Sequence, residues 1–172
     1  RVRSSAASDV YKRQEGDLRS PAGIFELGGV YGTVPAPQKK RSMPYRRITP
    51  RDMWVDDPAS PLYNQHFVLK HDPVTPWEFK QQMKLNDYAH SLKLFIRHNA
   101  ADGRRKPVPG AGSSIFFHIW RRDGGAPTAG CTAMSEENLR AMIAWLDPSR
   151  HPLYILLPAR EYLRLRRAWG LP

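Results

Sequence analysis

The chain has 172 residues and carries 27 lysines and arginines against 16 acidic residues, a formal net charge of +11. This basic balance favours association with polyanions such as nucleic acid, anionic lipid or cell-wall polymer, and it carries no information about fold. The single cysteine excludes an internal disulfide framework and a zinc site rich in thiolates. No apolar run approaches the ~20 residues of a membrane-spanning helix, so we expect no stable membrane insertion of this chain.

The first residues lack the pattern of a folded segment. Ser4–Gln14 reads SSAASDVYKRQ, without apolar periodicity, and its back-translation resembles a transposon adapter used to prepare sequencing libraries. We therefore predict that residues 1–14 are non-native, and we exclude them from fold reasoning. Residues 15–172 suffice for one domain with a hydrophobic core. We expect this domain to be truncated at its N-terminus, together with any signal segment.

Prolines and glycines divide the chain into short segments that are typical of strands joined by long loops. Four segments have the composition of strands: Gly23–Leu27, Gln65–Lys70, Lys93–Asn99 and Ser113–Arg121. The last two are rich in the β-branched and aromatic residues that fit a pleated surface. In Ser113–Arg121 successive side chains point to opposite faces of the strand, and each face carries large apolar side chains. We therefore expect both faces of that strand to be buried.

The pattern changes to a helical period near residue 135. Apolar spacing predicts an amphipathic helix of about three turns that begins after Ser135, its N-cap, and stops at Asp147. Pro152–Leu157 returns to a strand pattern, and Arg160–Trp169 is predicted as a closing basic helix. The chain is therefore predicted to be mainly β or α+β, with one or two peripheral helices.

The only cysteine, Cys131, lies in the small-residue stretch GAPTAGCTAM, between a predicted buried strand and a capped helix. A nearby imidazole or helix N-terminus stabilises the thiolate, which is the nucleophilic form of cysteine. Gly130 removes a side chain that would obstruct the backbone, so nearby N–H groups are candidates for holding an oxyanion. The alternative is that Cys131 is a small buried hydrophobe, the usual fate of a free cysteine.

His118, on the predicted strand Ser113–Arg121, is the candidate partner of Cys131. A Cys–His pair needs both groups on adjoining elements, and a connection of about a dozen residues is long enough to fold back and bring them together. A strand histidine between apolar neighbours is otherwise a hydrogen-bonded core residue. The best rival is His98, on the neighbouring predicted strand. The other histidines have loop or strand-end positions: His66, His71, His90 and His151.

Two motifs in this order, IFFHIW and PTAGCTAM, resemble the catalytic domain of the YkuD-type L,D-transpeptidases. That family has a strand histidine, then a segment of about a dozen residues, then a Ser/Thr-His-Gly-Cys signature. The stretches EGDLRSPAGIFEL, WVDDPASPLYNQ and PVPGAGSSIFFHIWR extend the resemblance from Glu15 to about Leu157. The first of these is similar to the opening strand and loop of the family, and the other two are similar to a bacterial subgroup with a TAGC motif. The resemblance implies that residues 15–172 form a YkuD-like catalytic domain of the β-sandwich type.

The resemblance also implies roles for individual residues. Cys131 takes the position of the nucleophile and His118 that of the general base. Three residues fall in the oxyanion and supporting loop: Gly130, Ala129 and Thr128. The sequence departs from the best-known members at Ala129, where they have histidine, and after the cysteine, where Thr-Ala replaces hydrophobe-Arg. The surroundings of the pair are therefore expected to differ.

The motif does not assign the group that orients His118, although a backbone carbonyl would serve. Three outer residues are predicted to contact substrate: Tyr88, Asn64 and Arg121. Basic clusters that would favour an anionic wall polymer are Lys39–Arg41, Arg46–Arg47 and Arg104–Lys106. Runs of this kind are more often solvated loops.

The reaction that the resemblance implies is acyl transfer on peptidoglycan stem peptides. The Cys131 thiolate attacks the carbonyl of an L-residue that precedes a D-residue, and the amine of a neighbouring stem resolves the thioester, with His118 moving the proton. No metal or cofactor is expected. Water in place of the amine would make the protein an L,D-carboxypeptidase. Because stem peptides lie outside the cytoplasmic membrane, we expect a periplasmic or exported protein, and a monomer.

Three other classes fit the sequence less well. A nucleic-acid-binding module would interleave basic residues with stacking aromatics such as Tyr31, Tyr45 and Trp54 on one strand pair, which the sequence does not predict. A zinc hydrolase needs three or four ligands at short spacing, and the single cysteine and scattered histidines do not provide them. A non-catalytic wall-binding domain that kept the fold is the stronger alternative, and the presence of both Cys131 and His118 argues against it.

Overall fold

The structure is a computed structural model that describes residues 15–37 and 42–172. The predicted non-native segment 1–14 and the whole basic cluster Lys39–Arg41 lie outside the described residues. Strands and α-helices follow in the chain order β1 (Gly23–Gly32), β2 (Tyr45–Arg47), β3 (Asp52–Trp54), β4 (His66–Val68), α1 (Pro76–Gln81), β5 (Leu92–Ile96), β6 (Phe116–Ile119), β7 (Thr132–Met134), α2 (Glu136–Trp145), β8 (Leu153–Leu156) and α3 (Ala159–Trp169).

Most strands belong to one mixed sheet with the order β2-β1-β5-β6-β7. β5 pairs antiparallel with both β1 and β6, whereas β2 and β7 pair in parallel with β1 and β6. β8 pairs antiparallel with the first part of β1. β3 and β4 form a separate antiparallel pair. The predicted α+β class with a β-rich core is therefore confirmed.

One face of the central sheet is covered by α2. Leu94 on β5 and Phe117 on β6 belong to the same buried cluster as Leu139 and Ile143 on α2. The helix presents these two residues together because they are four positions apart and lie on one helical face. Each buried aliphatic side chain of this size contributes about 1.5–3 kcal/mol relative to full exposure. Packing against α2 thus holds in place the sheet that carries the candidate site.

The opposite face of the sheet packs against β3. The indole of Trp54 lies 4.4 Å from the ring of Phe95 and 4.8 Å from that of Phe116, measured between centroids. Ile48 and Met83 complete this second buried cluster. All residues of β6 are buried. The prediction that both faces of this strand are covered is confirmed, because α2 lies on one side of it and Trp54 on the other.

The longer predicted elements are present with shifted ends. The predicted strands correspond to β1, β4, β5, β6 and β8, and β1 continues to Gly32, beyond the predicted end at Leu27. Ser135 caps α2, and its hydroxyl accepts a hydrogen bond from the Asn138 amide at 3.2 Å. The helix ends at Trp145, before the predicted stop, because Leu146 already has an extended conformation. α3 corresponds to the predicted closing helix.

Several short elements were not predicted. α1 has six residues and begins with a capping box between Thr75 and Glu78. β2, β3 and β7 have three residues each, which is too short for a period-2 pattern to stand out from its surroundings. Among the described residues, no helix has the length and hydrophobicity needed to cross a bilayer.

Gly32 at the end of β1 lies against the turn that precedes β5. A Cβ at this position would lie 2.5 Å from the Ser91 carbonyl oxygen, a backbone atom. We expect Gly32→Ala to lower the free energy of unfolding by about 2 kcal/mol, because one strand must move to remove the clash. Urea denaturation measures this loss. Gly29→Ala is the control, since a Cβ there would meet Tyr31 at an ordinary 3.4 Å. Equal midpoints for the two variants would contradict the expectation.

Candidate active site

Cys131 lies immediately before β7, the edge strand that pairs in parallel with β6. The ladder aligns Phe117 with Thr132 and His118 with Ala133. Residues aligned in neighbouring strands point to the same face, and so do residues two positions apart along a strand. Continuing the register by one step sets Cys131 beside Phe116. Cys131 is therefore a diagonal neighbour of His118 on one face of the sheet.

The thiol of Cys131 is partly exposed and touches both polar and apolar groups. Its Sγ donates a hydrogen bond to the Ser114 carbonyl at 3.4 Å. The side chain also packs against the aromatic cluster that contains Phe116. Cys131 is thus neither a fully buried hydrophobe nor a solvated side chain.

The loop before Cys131 is held by Thr128. The Thr128 hydroxyl donates to the Cys131 carbonyl at 2.7 Å and accepts from the Gly130 amide at 3.3 Å. Gly130 has a φ of 131°, which an L-residue rarely adopts, so the turn needs glycine at this position. Ala129 is exposed beside it. The roles of the three loop residues around an oxyanion stay a prediction, and Thr128 is positioned to fix the conformation of the loop.

His118 is 2 % exposed. Its Nδ1 lies 2.7 Å from the carbonyl oxygen of Ile119. Since a carbonyl only accepts, Nδ1 carries the proton and donates, which leaves the lone pair of the neutral ring on Nε2. A backbone carbonyl therefore orients this ring. Burial lowers the pKa of His118 below its usual 6.5 against the opposing effect of this hydrogen bond, and the charges of Arg121 and Lys93 lower it further.

A second histidine covers the ring of His118. His90, in the 3-10 helix Tyr88–His90 between α1 and β5, stacks on it with ring centroids 4.6 Å apart. The carboxylate of Asp87 accepts hydrogen bonds from Nδ1 of His90 at 3.1 Å and from Nε of Arg121 at 2.8 Å. Burial, then the charges of His118 and Lys93, lower the pKa of His90 to about 4. The ring is therefore neutral at physiological pH.

The neutral His90 predicts a pH dependence of stability. Its pKa falls from 6.5 in the unfolded chain to about 4 in the folded protein, so the unfolded state binds more protons between these values. The contribution of the neutral His90 to the free energy of unfolding is therefore fully present above pH 6.5. It is lost as the pH falls toward 4, by about 3 kcal/mol in total. We expect His90→Phe, which keeps an aromatic ring on His118, to flatten this slope in urea denaturation.

The exposed histidine His151 provides the control for this experiment. Its backbone has the left-handed conformation that asparagine also tolerates, so His151→Asn should retain the wild-type slope between pH 6.5 and 4. Identical slopes for wild type and His90→Phe would contradict the role assigned to His90.

The three outer residues predicted to contact substrate are in different environments. Tyr88 is 61 % exposed, and its hydroxyl donates to Glu136 at 2.7 Å. Arg121 is exposed and paired with Asp87. Asn64 is buried; its Oδ1 accepts from Trp54 and from the Ser114 amide, and its Nδ2 donates to two backbone carbonyls. Asn64 thus holds the loop whose Ser114 carbonyl contacts Cys131. Substrate contact by these three residues stays a prediction.

The other histidines are engaged elsewhere. Nε2 of His98 lies 2.9 Å from the Ala111 carbonyl oxygen, to which it donates, and its ring packs edge-on against Phe25. Nε2 of His66 lies 2.8 Å from a carboxylate oxygen of Asp52. His71 and His151 are exposed. Among the ring contacts of the described residues, the histidine that stacks on His118 is His90.

An open cleft of about 400 Å³ adjoins Cys131. Its walls include Ser20, Trp120, Thr128, Thr132 and Tyr154. The Tyr154 hydroxyl lies 3.0 Å from the Thr132 hydroxyl, so the lining of the cleft includes a pair of hydrogen-bonded hydroxyl groups. Sequence reasoning missed Ser20, Trp120 and Tyr154 because they come from separate parts of the chain. Within the described ranges, no cluster of three or more His, Cys, Asp or Glu side chains is arranged to hold a metal ion.

The fold and site define an α+β protein with a cysteine and a buried histidine on one sheet face, beside an open cleft. The family model of the L,D-transpeptidase catalytic domain, YkuD, matches residues 3–155, and the chain belongs to this family. Its members are acyltransferases, so the predicted enzyme class holds at the level of the family. Comparison with curated proteins and with solved structures finds no match. The matched range begins inside segment 1–14, whose non-native origin stays a prediction.

Proposed function

We propose that the protein transfers an acyl group between peptidoglycan stem peptides through a thioester on Cys131. The thiolate attacks the carbonyl carbon of an L-residue that precedes a D-residue and forms a tetrahedral oxyanion. The C–N bond then breaks, and His118 returns the thiol proton to the departing amine of the D-residue. An amine of a second stem attacks the thioester, loses its proton to His118 and releases the thiol.

The observation that carries this proposal is the placement of Cys131 and His118 on one face of adjacent parallel strands, with Cys131 in the wall of the cleft. The Nδ1 proton of His118 is donated to the Ile119 carbonyl at 2.7 Å, so Nε2 is the nitrogen available as a base. The nucleophile and the base of an acyl transferase must lie within hydrogen-bond reach in the reacting complex. The diagonal position of Cys131 supports this arrangement.

Hydrolysis by the same pair is the second candidate, because water can resolve the thioester in place of an amine. A partly exposed Cys131 beside an open cleft is compatible with both acceptors. A wall-binding domain without catalysis is the third candidate. These alternatives differ in what they release from a stem peptide, and product analysis separates them.

The family also bears on location and association. Peptidoglycan is the substrate that the family implies, and it lies outside the cytoplasmic membrane. We therefore propose a periplasmic or exported site of action. We further propose that one copy is sufficient for catalysis, because β6 and the loop before β7 supply both reacting side chains from a single chain.

Intact-protein mass spectrometry tests the proposal. The wild-type protein is incubated with a tetrapeptide-stem muropeptide and, separately, with a carbapenem, since both present an acyl group to a thiol. We expect a covalent adduct from each reagent and release of the terminal D-residue from the muropeptide. A cross-linked product identifies transfer, and a shortened stem identifies hydrolysis. A folded protein that forms no adduct with either reagent would exclude both reactions and favour wall binding.

A further inference from the structure

Lys93 is a buried cation that the proposed mechanism does not use. It lies on β5, is 4 % exposed, and pairs with His118 across the antiparallel ladder. Directly paired residues of neighbouring strands point to the same face. Lys93 therefore belongs to the face of the sheet that carries His118 and Cys131. A lysine is almost never buried unless its charge has a partner.

The ammonium group of Lys93 is directed along this face. Nζ donates to the Met83 carbonyl at 2.8 Å and lies 5.5 Å from the centroid of the Phe116 ring. Phe116 is the residue beside which the register sets Cys131. The side chain thus starts beside His118 and brings its ammonium group to the ring of Phe116. The electrostatic interactions of Lys93 include both Cys131 and His118.

We propose that Lys93 is a positioning residue whose positive charge stabilises the Cys131 thiolate and disfavours a proton on His118. This inference rests on the proposed function of the Cys131–His118 pair and adds a third charged group to it. A cation in a poorly solvated site favours a nearby thiolate, which is the reactive form of cysteine. The same charge opposes the formation of an imidazolium at His118.

The titratable and charged groups around Lys93 are consistent with this role. They come from the strand, the 3-10 helix and the loops that pack against it: His118, His90, Asp87, Arg121 and Cys131. Burial lowers the pKa of Lys93 to about 8, and the charges of Cys131 and Asp87 oppose this shift. Lys93 therefore carries its charge below pH 8, in the range where Cys131 must become a thiolate to react.

A purely structural role makes a different prediction. If Lys93 only tied β5 to the Met83 carbonyl, any side chain with a donor of suitable length would serve, and its charge would be irrelevant. Lys93→Gln keeps a donor without a charge, Lys93→Met removes both, and Lys93→Arg keeps the charge. The three variants therefore separate charge from hydrogen bonding.

The experiment is the rate of Cys131 alkylation by iodoacetamide between pH 5 and 9, which requires no acyl donor. We expect Lys93→Met and Lys93→Gln to react about tenfold more slowly than wild type at pH 7, with the midpoint of the profile about one pH unit higher. Lys93→Arg should stay near the wild-type profile. Lys80→Met is the matched control, because Lys80 is 69 % exposed, and it should change nothing. Circular dichroism checks that each variant is folded.

A wild-type profile in folded Lys93→Gln, or an equal loss in all three Lys93 variants, would overturn the inference. A measurement on the wild type avoids substitution altogether: NMR titration of the lysine side-chain Cε resonance before and after alkylation. Alkylation removes the thiolate, so Lys93 should titrate at lower pH afterwards, and an unchanged midpoint would also overturn the inference. Because these readouts use no acyl donor, failure of the proposed acyl transfer alone would leave the charge effect visible.

Discussion

Replacing Cys131 with alanine is expected to abolish the covalent adduct with both the muropeptide and the carbapenem, and to lower turnover by at least about 10⁴-fold. The reason is that alanine has no atom that can form the thioester, and the described site contains no second thiol, since the chain has one cysteine. Intact mass and product release measure the two losses in one experiment.

The variant should keep its fold. Cys131 lies at the margin of the aromatic cluster, and its backbone carbonyl accepts from Thr128 whatever the side chain is. Thermal unfolding should therefore shift by only a few degrees. Cys131→Ser, which keeps the shape of the side chain but is a poorer nucleophile, is the companion variant. Retained turnover in folded Cys131→Ala would reject the thioester mechanism, because the reaction would then proceed without a sulfur.

The strand that carries His118 illustrates what local sequence can predict. Ser113–Arg121 has apolar residues on both faces, and the structure covers both faces of the observed strand with α2 and Trp54. The helix after Ser135 was equally predictable because its N-cap and apolar spacing are local features. The dense, regular pattern of these segments agrees with the tertiary contacts that bury them.

The surroundings of the site were less predictable because they depend on residues far apart in the chain. Asp87 and Arg121 are separated by 34 positions, and Asn64 and Ser114 by 50. No local period encodes such pairs. Lys93 begins a predicted strand and would ordinarily be assigned to a solvated end, whereas the antiparallel register with His118 buries it. Only the strand order reveals this position.

The strand β7 was also difficult to predict from local sequence. It has three residues, and its pairing with β6 depends on the loop that folds back from Arg121 to Cys131. The sequence indicated that such a return was long enough, and the family resemblance gave the order of the motifs. The parallel register itself, which sets Cys131 on the face of His118, comes from the structure.

Replacing His118 with glutamine is expected to lower kcat/KM by about 10²–10⁴-fold near neutral pH, the usual contribution of a general base. Glutamine fills much of the buried site but cannot accept the thiol proton or return it to the leaving amine. Burial lowers the pKa of His118 below 6.5, so the wild-type base form persists as the pH falls through that value. The acidic limb of the wild-type pH profile should therefore lie below pH 6.5, and the variant should lose it.

His98→Gln is the matched control, since His98 was the rival candidate and donates to a loop carbonyl. It should keep the wild-type pH profile. The reverse result, a profile lost in His98→Gln and kept in His118→Gln, would transfer the role of base to His98 and contradict the site described above.

Alkylation separates the two tasks of His118. Iodoacetamide needs only a thiolate, whereas acyl transfer also needs a proton for the departing amine. Because the buried charge of Lys93 persists in His118→Gln, alkylation at neutral pH should fall less than turnover does. An equal fall in both rates would mean that His118 alone determines the ionisation of Cys131, and that proton delivery to the leaving group adds nothing further to the role of His118.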